Sequence, residues 1–371
     1  MYWKRENRLN VKDPVETWIR QDNDAAEKYQ VIVDFGKRTD LLKLKKNIVS
    51  DIQGNLSFYK DSRSNFFSNK DNLEPVAGCP VCKSPVENTS YQTNIYNAAY
   101  YQCANCTHIY LLDIPKLSAI EEFYRTNNRY AQTYTNKEAA EFRLNNVDAA
   151  LADYMCKIFS SIFNTNPTNI LDIGAGGGHF VEACQRKNMQ AKGFEFSESS
   201  IAFAKEAWDI SLDHRDYTKA YQEYADYDVV TFWGLLEHVP NPLEFIKAAS
   251  GSLNQRSDKM IVCRVPKWDS LSTGVQSLCS DTIVRHLDPL GHIMIYTESS
   301  LCELFRQIGY KPAAIWYYGM DMYELLMQIG HKSGNYDHLM KLGDLQQELQ
   351  VLLDNFYLSD LMVMAFVPNE L

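Results

Sequence analysis

Four cysteines stand in two close pairs, Cys79-Pro-Val-Cys82 and Cys103-Ala-Asn-Cys106, with twenty residues between them. Two knuckles at this separation can present four thiolates tetrahedrally to one zinc ion, with no position left for water, so a scaffolding metal is expected rather than a catalytic one. A redox Cys-x-x-Cys would open a helix in a thioredoxin-like unit, which the surrounding sequence does not offer. His108, two residues past the last thiol, reads as a strand or surface residue rather than a ligand.

A second group begins at Asn169–Phe180, NILDIGAGGGHF, where an apolar run ends in Asp172 and then Gly174, Gly176 and Gly178. The dinucleotide fingerprint G-x-G-x-x-G fails in both frames, because its third position falls on His179 or Val181. What remains is a glycine turn with an acid at the end of its strand, suited to a ligand that carries a cation rather than a pyrophosphate. Glu195 ends the next strand, where a carboxylate can accept both hydroxyls of a ribose. A nucleoside with a positively charged, phosphate-free tail satisfies both acids, and S-adenosylmethionine is such a molecule. A third group, Glu237-His238, follows the fourth strand directly and so lies at the carboxyl edge of the sheet, where ligands bind in such folds. Transfer to a hydroxyl, or to a carbon beside a keto group, needs a base that works near neutral pH, and histidine is the usual choice. His292, in GHIMIY, is the second candidate.

These groups must be held by alternating strands and helices. Strands are expected at 170–173, 191–196, 228–233 and 260–265, and helices at 178–187, 199–207, 242–253 and 297–308. Ser197 and Asn241 are the expected N-caps. A strand at 310–318, a helical stretch at 322–356 and a closing strand ended by Pro368 complete an α/β pattern with a mostly parallel sheet. Residues 117–163 read as largely helical. The organisation expected is an N-terminal extension (1–77), a zinc-binding module (78–115), a helical linker or lid (116–165) and a catalytic domain (166–371) with a helical insertion (320–358). Within the extension, AAEKYQVIVDF reads as strand or helix, TDLLKLKKNIVSDI as helix and YKDSRSNFFSNKDNLEP as a loop.

The 371 residues carry 47 acidic and 37 basic side chains, a net charge of −10. A phosphate-tracking protein usually shows a basic face, so nucleic acid is not the expected partner. No run approaches the ~18 apolar residues of a membrane span, and nine cysteines without a disulfide framework fit a reducing cytoplasm.

NILDIGAGGGHF, AKGFEFSESSIAFAKE, DHRDY and YDVVTFWGLLEHVPNPLEF together resemble the successive motifs of class I S-adenosylmethionine-dependent methyltransferases. The cysteine module, EEFYRTNNRY and RVPKWDSL…HLDPLGHIMIYTESSL are similar to members acting on nucleotide-linked sugars and related polysaccharide precursors. The resemblance covers about residues 78–318 and the closing strand. It implies a Rossmann-like seven-stranded sheet whose last strand is antiparallel. Gly174, Gly176 and Gly178 would line the methionine end of the donor, which Asp172 orients. Glu195 would hold the ribose, Phe196 cover the adenine and Asp216 bind its amino group, with Trp233 also at the donor. His238 would be the base, Glu237 its partner or an acceptor ligand, and Tyr124 and Tyr130 could reach the acceptor. Leu235 stands where some sugar C-methyltransferases place tyrosine, which leaves O-methylation open beside C-methylation. The other reading is an RNA or protein methyltransferase with the zinc module as macromolecule reader. Against it stand the acidic balance and GLLEHVP in place of the Asn/Asp-Pro-Pro-aromatic loop of base-amino methylation.

Overall fold

In the centre of the chain, short apolar runs flanked by glycine, asparagine or proline become strands buried on both faces. Together with three N-terminal strands they build one nine-stranded sheet: β1 Tyr2–Arg5, β2 Val15–Asp22, β3 Ala25–Phe35, β4 Asn169–Ile173, β5 Gln190–Phe194, β6 Val229–Trp233, β7 Met260–Pro266, β8 Tyr310–Tyr318 and β9 Leu361–Pro368. The computed structural model describes residues 2–5, 14–22, 25–39, 52–126, 137–254, 256–342 and 345–370. The order is β1-β2-β3-β8-β9-β7-β6-β4-β5. Strands β4 to β7 pair in parallel, and β9 runs antiparallel to both β7 and β8. Side chains alternate across the sheet, so Val230 and Phe232 enter one core while Val229 and Trp233 enter the other.

The sheet departs from the seven strands expected in two ways. The segment past β5 makes only a single bridge, Phe194 to Asp213, rather than an edge strand. At the other edge the N-terminal extension adds three strands, β3 running parallel to β8. The loop expected over 59–75 is also corrected, because Ile52–Ser68 is a helix. Its Ser- and Asn-rich composition argues against helix, but Phe66 and Phe67 are buried and Arg63 forms a bidentate pair with Asp288 at 2.8 and 2.6 Å, so tertiary contacts override propensity. The helix expected over TDLLKLKKNIVSDI lies almost wholly outside the described residues, as does Tyr130; the side chain of Tyr124 is likewise outside them. Ser197 caps its helix by accepting from the Ser200 N–H. Asn241 makes no side-chain cap, and Pro242 in the first turn starts that helix instead.

A second, four-stranded sheet belongs to the cysteine module. Thr89–Ile95, Ala98–Cys103 and Ile109–Leu111 are joined by Met294–Ile295, contributed from beyond β7. Between Arg143 and Ala149 the chain forms a π-helical turn, Leu144–Asp148, leading into the helix Ala149–Phe163.

Between β8 and β9 lie helices Asp321–Ser333, Asp337–Leu342 and Leu345–Asn355. They enclose buried acids. Burial, with Asp360 nearby, pushes the Asp321 carboxyl up to about 7, and burial pushes that of Asp354 up to about 8. The unfolded carboxyls ionise near ~3.9. The folded state therefore holds its protons more tightly, and stability present in mild acid is lost as pH rises through about 7 to 8. Asp354→Asn keeps an acceptor for the Gln350 amide, which donates at 2.8 Å. It is expected to raise the melting temperature at pH 8 and to flatten its dependence between pH 5 and 8; an unchanged slope in a calorimetric pH series would refute the assignment.

Candidate active site

The glycine turn joins β4 to the helix His179–Arg186. Gly174, Gly176 and Gly178 have φ of 76°, 53° and 73°, a region open to glycine and strained for other residues. The Gly174 and Ala175 N–H groups both donate to the Phe194 carbonyl at 2.9 Å, tying the turn to the end of β5. One residue further on, Glu195 is clamped from two sides. Gly176 N–H donates to Oε2 at 2.7 Å and Ser197 N–H to Oε1 at 2.8 Å. Each oxygen keeps a further lone pair, which is the disposition needed to receive two vicinal hydroxyls.

The other donor-site candidates take varied positions. Asp172, near the end of β4, is buried and accepts from Thr231 Oγ1 at 2.7 Å. Burial pushes its carboxyl up to about 7. Phe196 is 66% exposed, a large apolar ring beside the cradle with little of its surface covered. Asp216 caps the short helix Tyr217–Ala220, accepting from Thr218 N–H at 3.0 Å and Thr218 Oγ1 at 2.7 Å, and the Thr218 bond lowers its pKa. The Trp233 ring packs on Phe180 with centroids 4.9 Å apart, and among the described residues its buried Nε1 has no hydrogen-bond partner.

Glu237, His238 and His292 come together, their ligand atoms all within 4.8 Å of one another. His238 Nδ1 lies 2.7 Å from the Gly291 carbonyl, so Nδ1 is the donor there and Nε2 is the nitrogen turned toward the cluster. His292 Nδ1 is fixed likewise by the His286 carbonyl at 2.8 Å. His238 Nε2 stands 3.8 Å from Glu237 Oε1. Burial pushes the Glu237 carboxyl up, with His238 opposing, and burial holds His292 well below the usual histidine range. The cysteine module supports this cluster. Tyr100 Oη donates to the His292 carbonyl at 2.6 Å, and the Met294–Ile295 strand follows directly.

The four module thiols also converge. Cys79 and Cys106 Sγ are 3.6 Å apart, as are those of Cys82 and Cys103. Tetrahedral zinc with bonds of ~2.3 Å sets its sulfurs about 3.8 Å apart, so the donor set fits that ion. Each knuckle closes in the same way, with Lys83 N–H bonding the Cys79 carbonyl and Thr107 N–H the Cys103 carbonyl, both at 3.0 Å and both at positive φ. His108 is outside the cluster, buried with its ring 4.8 Å from that of Tyr296.

Sequence reasoning missed a basic group at the same end of the sheet. Arg264 of β7 reaches the Trp233 carbonyl at 3.4 Å, and Lys37, just past β3, bonds the Asn146 carbonyl at 2.7 Å. A lone arginine inside the apolar run MIVCRV was the available signal. Among the described residues no helix is long and apolar enough to cross a membrane.

Residues 146–315 match the family described as "Methyltransferase domain". The curated relatives include a ubiquinone biosynthesis O-methyltransferase of Idiomarina loihiensis, 37% identical over 90 residues that make up 23% of this chain and 37% of that protein. The protein of the same name from Ruegeria pomeroyi is 27% identical over 150 residues, 38% of this chain and 60% of the relative. The chain thus spans less than two thirds of the length of these relatives. Among solved structures, the plantazolicin methyltransferase BpumL in complex with SAH is 19% identical, with a TM-score of 0.43 over 67% of this chain and 94% of its own. A SAM-dependent methyltransferase from Archaeoglobus fulgidus is 17% identical, with a TM-score of 0.41 over 60% and 94%. Over residues 146–315 this chain is therefore similar to methyltransferase domains.

Proposed function

We propose that the protein transfers a methyl group from S-adenosylmethionine to a small-molecule hydroxyl, with a nucleotide-linked sugar or polysaccharide precursor as the acceptor class. The observation that carries the donor assignment is Glu195, its two oxygens held by Gly176 and Ser197 N–H groups beside a turn of three positive-φ glycines. Oxygen as the accepting atom is supported by Leu235, in the place of a tyrosine, and by the O-methyltransferase names of the relatives. The sugar acceptor rests on the motif resemblance in residues 78–130 and 264–301. The four module cysteines would hold a structural zinc ion.

The donor supplies a methyl already activated as a sulfonium, so the protein must position the acceptor and remove its proton. His238 Nε2 takes the hydroxyl proton as the oxygen attacks the methyl carbon, and the Gly291 carbonyl holds the opposite N–H. Glu237, 3.8 Å away, stabilises the imidazolium that forms. The carbon–sulfur bonding pair returns to sulfur, leaving S-adenosylhomocysteine.

Glu195→Ala removes a two-oxygen, charge-assisted contact worth roughly 1.5–3 kcal/mol. Calorimetry with S-adenosylhomocysteine is expected to show a ten- to hundredfold weaker affinity. Tight binding of NAD that is unaffected by this change would refute the donor assignment. A screen with labelled donor against nucleotide-sugar pools and RNA, followed by mass analysis of the product, tests the acceptor.

A further inference from the structure

Both candidate catalytic histidines depend on one short turn, Asp288–His292, and that turn is pinned by a residue of the N-terminal extension. His238 Nδ1 donates to the Gly291 carbonyl at 2.7 Å. A Cβ added to Gly291 would lie 3.6 Å from His238 Cε1, so the imidazole rests against the turn. His292 belongs to the turn itself, its ring centroid 5.2 Å from that of His238. Asp288 gathers the turn around itself. Its carbonyl accepts from His292 N–H at 2.8 Å and from Gly291 N–H at 3.2 Å, and its Oδ1 accepts from Leu290 N–H at 3.3 Å. Pro289 in the second position suits such a turn.

The Asp288 carboxylate is held in turn by the extension. Buried Arg63 of helix Ile52–Ser68 donates Nε to Oδ1 at 2.8 Å and Nη2 to Oδ2 at 2.6 Å. Its guanidinium lies 4.0 Å from the centre of the Tyr59 ring. A two-point fork fixes direction as well as distance, so the pair that anchors this helix also sets where the turn stands. Tyr100 donates to the His292 carbonyl at 2.6 Å, and the turn is thus gripped by the extension and the cysteine module at once.

The placement of the Gly291 carbonyl matters because neutral imidazole in water favours the proton on Nε2, and a hydrogen bond from Nδ1 reverses that preference. A displaced carbonyl returns the proton to Nε2, the nitrogen turned toward Glu237 and His292. That tautomer has no lone pair there to take a hydroxyl proton.

We propose that Arg63 is a positioning residue for methyl transfer: through Asp288 it holds the Gly291 carbonyl that keeps the His238 proton on Nδ1 and the lone pair on Nε2. The inference rests on the reading of His238 as the base. It gives helix Ile52–Ser68 a part in the chemistry.

The test uses the full chain with labelled histidine, saturated with S-adenosylhomocysteine, and reads the ring nitrogens of His238 by heteronuclear NMR. Wild type is expected to show the neutral ring protonated on Nδ1; a proton on Nε2 overturns the proposal outright. In Arg63→Met the two nitrogen shifts are expected to move toward the Nε2–H form, with S-adenosylhomocysteine affinity within about twofold of wild type. A purely structural role would lower the melting temperature and leave the tautomer of the folded protein as it was, and that result overturns the proposal. With an acceptor from the labelled-donor screen, kcat is expected to fall about ten- to a hundredfold and KM to change much less, the scale of a ~1 Å misplacement. A changed tautomer with unchanged kcat would also overturn the catalytic role of Arg63. Should Arg63→Met fail to fold, Arg63→Lys carries the test. Its ammonium keeps the charge without the fork, so the same shift is expected in smaller measure, and an unchanged tautomer again overturns the proposal. Wild-type turnover in His238→Ala would instead strike the base reading, a result separate from the tautomer of the ring.

Discussion

Alanine in place of His238 is expected to lower turnover by roughly 10²–10⁴ while leaving donor affinity nearly unchanged. The effect is large because one tautomer is prepared for the task. The Nδ1–H donates to the Gly291 carbonyl, which turns Nε2 toward the Glu237–His292 cluster. The donor cradle is built from other segments, so removal of this imidazole should reach the chemical step and spare the binding step. With an acceptor from the labelled-donor screen, turnover and S-adenosylhomocysteine affinity are measured on the same preparation. Turnover near that of wild type would move the base elsewhere, and His292 would be tested next. A variant that loses donor binding or folds poorly would mean that this histidine serves to anchor the Gly291 loop.

Cys103→Ser is the second large effect. The purified protein is expected to carry close to one zinc ion per chain, and the variant close to none. Structural zinc sites contribute apparent binding energies of about 10–16 kcal/mol in isolated zinc-finger peptides, and that energy is folding energy. Its loss should not remain local. Cys103 ends a strand of the module sheet, and the same sheet takes in Met294–Ile295 and holds the His292 carbonyl through Tyr100. Hydrogen exchange is therefore expected to rise both across residues 89–111 and around 286–296, and turnover to fall with it. Elemental analysis that finds no zinc in intact, folded wild-type protein would refute the metal assignment, and exchange confined to the module would refute its link to the catalytic loop.

The parallel centre of the sheet was legible because its strands are buried on both sides and therefore read as mostly apolar runs, ILDI and VVTFW among them. The N-terminal strands were less so, since Val15–Asp22 and Ala25–Phe35 lie near a sheet edge and mix charged with apolar residues, which left Ala25–Phe35 readable as strand or helix. Helix Ile52–Ser68 was missed because its stability comes from Phe66, Phe67 and the Arg63–Asp288 pair, contacts that no local pattern announces. In the candidate site, cysteine spacing and a run of small residues at a strand end carry their meaning in sequence, because ligand geometry and positive φ demand particular residue types. Asp172 has a partner that position alone does not announce, since Thr231 Oγ1 of the neighbouring strand donates to its carboxyl. Lys37 and Arg264 are further still from legibility, since they are 227 positions apart and meet only through the pairing of β3 with β8 and of β8 and β7 with β9.

The strand that Met294–Ile295 lends to the cysteine module also has a consequence for biosynthesis. Tyr100 and His292 are separated by 192 residues. At a synthesis rate of ~5–20 residues per second, the thiols emerge from the ribosome roughly 10–40 s before the strand that completes their sheet. During that interval the Ile109–Leu111 edge is open, with unpaired N–H and carbonyl groups of the kind that recruit foreign strands. Early metal capture would close the two knuckles and hold this edge in shape while the rest of the chain is made. Zinc supply during translation, more than zinc bound to the finished protein, would then set the yield of correctly assembled molecules.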